Sequence, residues 1–184
     1  MNAVAGIFVG GRGERMGGAA TGLLAGPDGR PIIENLRDML TGLGLEVVLV
    51  GRDPRYDALR LQVVQDEPGG IGPLGGLIGL LGHAGDRLAV AIACDMPFVD
   101  APLVGRLLGA LPAPVVAPRR GDLWEPLFAR YDPERVLTAA RARASGGQRS
   151  LQGLLDGVGA RELPLSEEEW PRLRDWDRPS DRST

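Results

Sequence analysis

Residues 3–18 read "AVAGIFVGGRGERMGG". A short apolar run, Val4 to Val9, opens into a loop of glycines that carries Arg12 and Arg15. The run has the length and the uniform apolarity of a buried strand bounded by glycine. The loop that follows can bring its backbone close to a ligand and turn several N–H groups toward one anion. From the loop alone, a tight turn between two elements is the plain alternative. The pattern G-x-x-x-x-G-K-[ST] is absent, so this is not a P-loop. Nor is it a convincing dinucleotide fingerprint, because residues 19–28 are glycine-rich, run into "GPDG", and open no helix.

Outward from this stretch, strand and helix patterns alternate. Pro31 to Leu43 has helical spacing and stops at Gly44; Leu45 to Val50 ("LEVVLV") and Arg60 to Gln65 ("RLQVVQ") read as strands. The loop "DEPGGIGPLGG" leads to a glycine-containing helix over Leu74 to Leu81, then to a strand from Arg87 to Ala93 that ends at "CDMP". Asp100 with Pro102 opens a helix to about Leu111. Strands over Pro114 to Ala117 and Glu125 to Tyr131 follow, then a helix capped by Asp132 and a short one over Ser150 to Leu155. Ser166 with Glu169 makes a capping box for a last turn. Uniformly apolar strands alternating with helices predict a single Rossmann-like α/β domain over residues 1–184: three layers, with helices flanking a mostly parallel central sheet. Residues 178–184 form a polar tail expected to fray.

The composition narrows the function. With 184 residues and 43% hydrophobic content, the chain can build one sizeable core. A net charge of -3 gives no attraction for nucleic acid or an anionic membrane. No apolar run is long enough to span a membrane, no secretory leader is visible, and Cys94 is the only cysteine; a cytoplasmic protein is expected. All 21 basic residues are arginine. Without lysine, any fixed cation over a phosphate must be arginine, a metal or a helix dipole.

Ligands of open α/β sheets bind beyond the carboxyl ends of the strands. Three features fall there: the glycine loop after the first strand, Asp66 with its glycine-rich loop after the third, and Asp95 in "CDMPF" after the fourth. Asp95 suits a divalent metal that bridges phosphates, although a turn or cap aspartate fits the sequence equally. Asp66 alone reads as a turn residue. His83, the single histidine, reads as a surface or capping residue, and Cys94 as a small strand-end residue. Trp124, Trp170 and Trp176 read as packing anchors. Arg141, Arg143 and Arg149 fit either a second anionic ligand or a solvated helix face.

In order and spacing, "FVGGRGERMGG", "GRPII", "VQDEPGGIGPLGG", "CDMPFVDAPLV", "EPLFARY" and "DWDRPSD" resemble the MobA-like nucleotidyltransferases. The resemblance covers nearly the whole chain. It implies transfer of GMP from GTP to the terminal phosphate of molybdopterin, with release of pyrophosphate and with Mg2+ as cofactor. By the same resemblance the nucleotide lies over Phe8, Val9, Gly10, Gly11, Gly13 and Gly17, with Thr21, Asp66, Gly72 and Gly75 completing its pocket. Arg15 would contact phosphate, Arg12 would supply a second cation, and Asp95 would bind both magnesium and phosphate. The segments "PRRGDLWEPLF" and "GGQRS" would face the pterin phosphate. Molybdoenzymes or other cofactor-pathway proteins are the partners it suggests.

By the same resemblance, the glycine pair Gly10-Gly11 and the loop Gly72 to Gly76 favour guanine over cytosine. The chain departs from the family pattern at three points. Thr21 stands where the family usually has lysine, Asp175 to Pro179 replaces a late asparagine-rich motif, and Val50 ends the second strand where a small polar residue is usual. A binding module that has lost catalysis, a cytidylyl-transferring relative and a sugar-phosphate nucleotidyltransferase are therefore the alternatives.

Overall fold

The computed structural model describes residues 2–9 and 20–176. Its main sheet has strands β1 (Ala3–Phe8), β2 (Glu46–Val50), β3 (Gln62–Val64), β4 (Leu88–Ala93), β5 (Val115–Ala117), β8 (Phe128–Tyr131) and β9 (Arg161–Glu162), in the order β3-β2-β1-β4-β8-β5-β9. A hairpin of β6 (Arg119–Arg120) and β7 (Leu123–Trp124) stands apart from it. Only β8 runs against its neighbours; the other pairings are parallel. The expected mostly parallel α/β sheet is thus what forms.

The helices are α1 (Ile32–Gly42), α2 (Pro73–Ala84), α3 (Ala101–Gly109), α4 (Pro133–Ser145) and α5 (Leu151–Val158). Strand side chains alternate between two cores. Ala5, Ile7, Leu49, Val90, Ile92 and Phe128 face α1 and α3, while Val4, Phe8, Val48, Ala91 and Tyr131 face α2, α4 and α5. Because both faces are covered, the strands read as continuous apolar runs rather than alternating ones.

The glycines of α2 are what let it lie close to the sheet. A Cβ at Gly79 would run into the backbone carbonyl of Gln65, and one at Gly75 would sit 2.5 Å from the carbonyl oxygen of Pro68. A Cβ on the facing Gly6 of β1 would lie 2.7 Å from the Leu80 side chain. Glycine lowers helix propensity, but here it removes the atoms that would hold the helix off the strand.

One charged side chain is buried in the first core. Arg130, 3% exposed, donates from Nη1 to the carbonyls of Leu108 and Ala110 at 2.9 and 2.8 Å, and from Nη2 to that of Leu111 at 2.9 Å. These are the last carbonyls of α3 and the residues just after it, which have no partner inside the helix. The guanidinium therefore does the work of a C-terminal cap.

Several local readings are corrected. Helix α3 ends at Gly109 rather than near Leu111, and β3 and β8 are shorter than their apolar runs. The turn before β3, Pro54–Leu59, closes on Arg60 with φ 52, which takes Arg60 out of the strand. Asp132 precedes α4 but makes no side-chain cap. Half of the expected box at Ser166 is present: its N–H donates to Glu169 Oε2 at 2.9 Å. A 3-10 turn at Thr21–Leu23 occupies the stretch expected to hold no helix. The tail beyond residue 176 lies outside the described residues.

Replacing Gly79 with alanine should lower stability by about 1–3 kcal/mol despite the better helix propensity of alanine. Urea unfolding of Gly79→Ala against wild type measures this.

Candidate functional site

The carboxyl ends of β1, β2, β3, β4 and β5 share one edge of the sheet, because these strands are parallel to one another along the order given above. At that edge the ladder extends past the strands. Val9 N–H donates to the carbonyl of Val50 at 3.0 Å, and Cys94 N–H to that of Phe8 at 3.2 Å. Phe8, Val9 and Asp95 are therefore on adjacent segments.

The β3 side of the edge is built against the first turn of α2. A Cβ placed on Gly76 would lie 3.0 Å from the Phe8 ring and 3.3 Å from Asp66 Oδ1. A Cβ on Gly75 would lie 3.3 Å from Asp66 Cβ. Phe8, Asp66 and the start of α2, which Gly72 caps with φ 74, thus meet in one place. Burial raises the carboxyl of Asp66 above its usual range.

The segment bearing Thr21 comes to the end of β4. Gly22 is buried; a Cβ there would sit 3.2 Å from Cys94 Cβ. Its N–H donates to the hydroxyl of buried Tyr56 at 3.1 Å, and that hydroxyl lies 3.9 Å from Cys94 Sγ. Tyr56 thereby ties the chain leaving the glycine loop to the strand end that carries Asp95. Burial, followed by the charge of Asp95, pushes the Cys94 thiol up to about 12, so it is a protonated packing group and not a nucleophile.

The late segment reaches the same strand end. Trp176 N–H donates to the backbone carbonyl of Asp95 at 2.9 Å, and its ring meets Phe98 edge-on with centroids 6.0 Å apart. Arg172 reaches Asp100 at 2.8 Å, and Asp100 caps α3 through Leu103 N–H at 3.0 Å. So "CDMPF" and Trp176, more than seventy residues apart in sequence, form one unit.

Glu125, which the sequence reading placed in a strand and in the segment expected to face the pterin phosphate, lies ahead of β8. Its carboxyl is raised first by burial and then by the charge of Asp175. The hairpin β6–β7 was missed; its two-residue strands are too short for periodicity to register. Of the arginines in the α4 region, Arg141 pairs at 3.1 Å with Glu67, the residue after Asp66, and both line a cavity of about 320 Å³, while the Arg143 guanidinium lies over Gly153 of α5. His83, in the last turn of α2, is 2.7 Å from Glu46 Oε1. Trp124 and Trp176 are buried anchors, while Trp170 is half-buried. Gly10, Gly11, Arg12, Gly13, Arg15 and Gly17 lie outside the described residues.

Magnesium prefers few protein carboxylates and keeps waters or substrate phosphates as its other ligands. Asp95 places one carboxylate at the strand end, the kind of donor such a site would use. No group of three or more His, Cys, Asp or Glu suited to a metal occurs among the described residues. No helix there is long and apolar enough to cross a membrane.

Residues 5–159 match the MobA-like NTP transferase domain. A molybdenum cofactor guanylyltransferase of Pseudomonas putida is 36% identical over 154 residues, covering 81% of this chain and 80% of that protein. One from Pseudomonas fluorescens is 34% identical over 182 residues, covering 94% and 88%. Among solved structures, molybdopterin-guanine dinucleotide biosynthesis protein A from Archaeoglobus fulgidus has a similar fold, with TM-score 0.76, 23% identity and coverage of 98% and 95%.

Two outcomes follow from the contacts. Tyr56→Phe removes the acceptor of a buried N–H and should cost about 1–3 kcal/mol, seen as a lower melting temperature. The raised carboxyl of Glu125 favours its protonated form in the folded state, so its contribution to stability is present at low pH and is lost as pH rises through the raised value. Glu125→Gln should therefore stabilise the protein at neutral pH, with the gain vanishing in acid; melts at both conditions test this.

Proposed function

The chain belongs to the MobA-like NTP transferase domain family, and we propose that it acts as a molybdenum cofactor guanylyltransferase. It transfers GMP from GTP to the terminal phosphate of molybdopterin and releases pyrophosphate. The likeness to relatives of that name, extending over most of both chains, carries the reading.

In this reaction an oxygen of the acceptor phosphate attacks the α-phosphorus of GTP as the bond to the pyrophosphate oxygen breaks. Both substrates are anions, so the protein's work is alignment and neutralisation of charge. Phe8, Val9, Asp66, Gly72 and Gly75, with the glycine loop at Gly10, Gly11, Gly13 and Gly17, would hold the nucleotide. Asp95 would hold magnesium, which when bound supplies charge neutralisation to the phosphates. Tyr56 and Trp176 would fix the two segments that flank Asp95.

Arg15 and Arg12 would supply the remaining cations. Thr21 can offer a hydroxyl but no charge, so Arg12 takes the part that lysine has elsewhere in the family. Cytoplasm is the expected compartment, and molybdoenzymes are the partners expected to take the product. The second reading, a family member that binds nucleotide without turnover, draws its support from Thr21.

GMP transfer by purified protein, with GTP, molybdopterin and magnesium, separates the two. The proposal expects turnover, preference for GTP over CTP, and a loss of about 10²–10³ in kcat for Asp95→Asn. Arg12→Ala should lower the rate at least tenfold. Unchanged activity in Arg12→Ala would rule out arginine compensation, whereas a large gain in Thr21→Lys would identify wild type as impaired.

A further inference from the structure

We infer that Arg141 is a positioning residue for the nucleotide: through its ion pair with Glu67 it fixes the loop from Asp66 to Gly72 against α2. The inference rests on the proposed transfer reaction and adds a residue of α4, outside the pocket itself.

The loop has few means of holding itself. Gly69, Gly70 and Gly72 bring no side chains, and a Cβ at any of them would meet nothing within 4 Å. Residues 67–70 are exposed. At one end of the loop Glu67 N–H donates to the carbonyl of Gly75 at 2.9 Å, and at the other Gly75 N–H donates to that of Gly72 at 3.0 Å. Ile71 packs against the second core. These contacts all go to α2 and the core beneath it, and leave the outer side of the loop to Glu67.

The Glu67 side chain crosses to another helix. Its Oε1 lies 3.1 Å from Arg141 Nη2, near the end of α4. Its Oε2 lies 3.9 Å from where a Cβ on Gly82 would stand, so it runs along the face of α2 that carries Gly75, Gly79 and Gly82. Both partners line the cavity of about 320 Å³, together with Pro68, Ile78, Ala144 and Ser145. Space of that size leaves room for the loop to shift relative to α4. The ion pair spans it and sets the distance.

Both side chains are more than half exposed, at 51% and 58%, so the pair adds little to global stability. Its effect is local. A loop already in place has less freedom to lose when a ligand binds. Any shift of Glu67 passes to Asp66 through a single peptide, and Asp66 and Gly72, at the two ends of the loop, both belong to the proposed nucleotide pocket. Loss of the pair should therefore weaken the nucleotide and spare the acceptor.

Equilibrium binding of GTP without acceptor, initial rates with each substrate varied, and amide hydrogen exchange test this. Arg141→Glu sets two carboxylates face to face. It should weaken GTP about three- to tenfold in binding and KM, with kcat and the KM for molybdopterin within about twofold. Exchange at the amides of Glu67 and Gly75 should quicken at an unchanged melting temperature. The reversed pair, Arg141→Glu with Glu67→Arg, should restore GTP to within about twofold of wild type. Arg135→Glu makes the same charge change at an exposed position earlier in α4 and should leave GTP binding unaltered. Unchanged GTP binding in Arg141→Glu, a loss that the reversed pair does not repair, or an equal loss in Arg135→Glu overturns the inference. Wild type that binds no GTP would instead overturn the function, while faster exchange in Arg141→Glu, reversed in the swapped pair, would leave the tether standing.

Discussion

The contact between α2 and the backbone beneath it governs the rest of the site. Gly75 and Gly79 let the helix touch the carbonyls of Pro68 and Gln65 directly, and Gly6 lets Leu80 press into β1. A helix held off by even one methyl would move its first turn away from Phe8 and Asp66, which meet over Gly76. Close packing of this kind leaves no slack for a Cβ. The same glycines weaken the isolated helix, so its formation depends on the sheet being there to receive it.

The sequence made the first half of the fold readable, for physical reasons. Strands β1, β2 and β4 are buried on both faces, and their apolar runs admit no other reading of that length. Asp66 and Asp95 could be placed at one edge of the sheet because the segments that follow parallel strands gather there. The second half resisted. Trp124 and Gln152 meet in a backbone-to-side-chain pairing between residues about thirty apart, which no local pattern encodes. Gly22 and Tyr56 meet across a similar gap. Arg130 was also illegible as a cap: a charge in an apolar strand gives no hint that helix α3 ends beside it.

A chain without lysine has to place its cations by rigid geometry rather than by reach. Arginine has a flat, permanently charged head that prefers a surface to lie on. The described residues show this repeatedly: Arg119 over Trp124, Arg120 over Trp170 and Arg174 over Phe98. Aromatic residues make up only 4% of the chain, yet they serve as supports for guanidinium groups near the working edge. Positive charge is thereby given a fixed position.

The reversed direction of β8 changes what that edge can hold. Parallel strands bring residues to it only as they finish. β8 pairs antiparallel with both β4 and β5, so the chain starts this strand where its neighbours end. Residues ahead of it, Glu125 among them, arrive from upstream, with no helix needing to follow them across the face. One reversed strand at the centre thus lets residues arrive at a single edge of the sheet from both directions of travel.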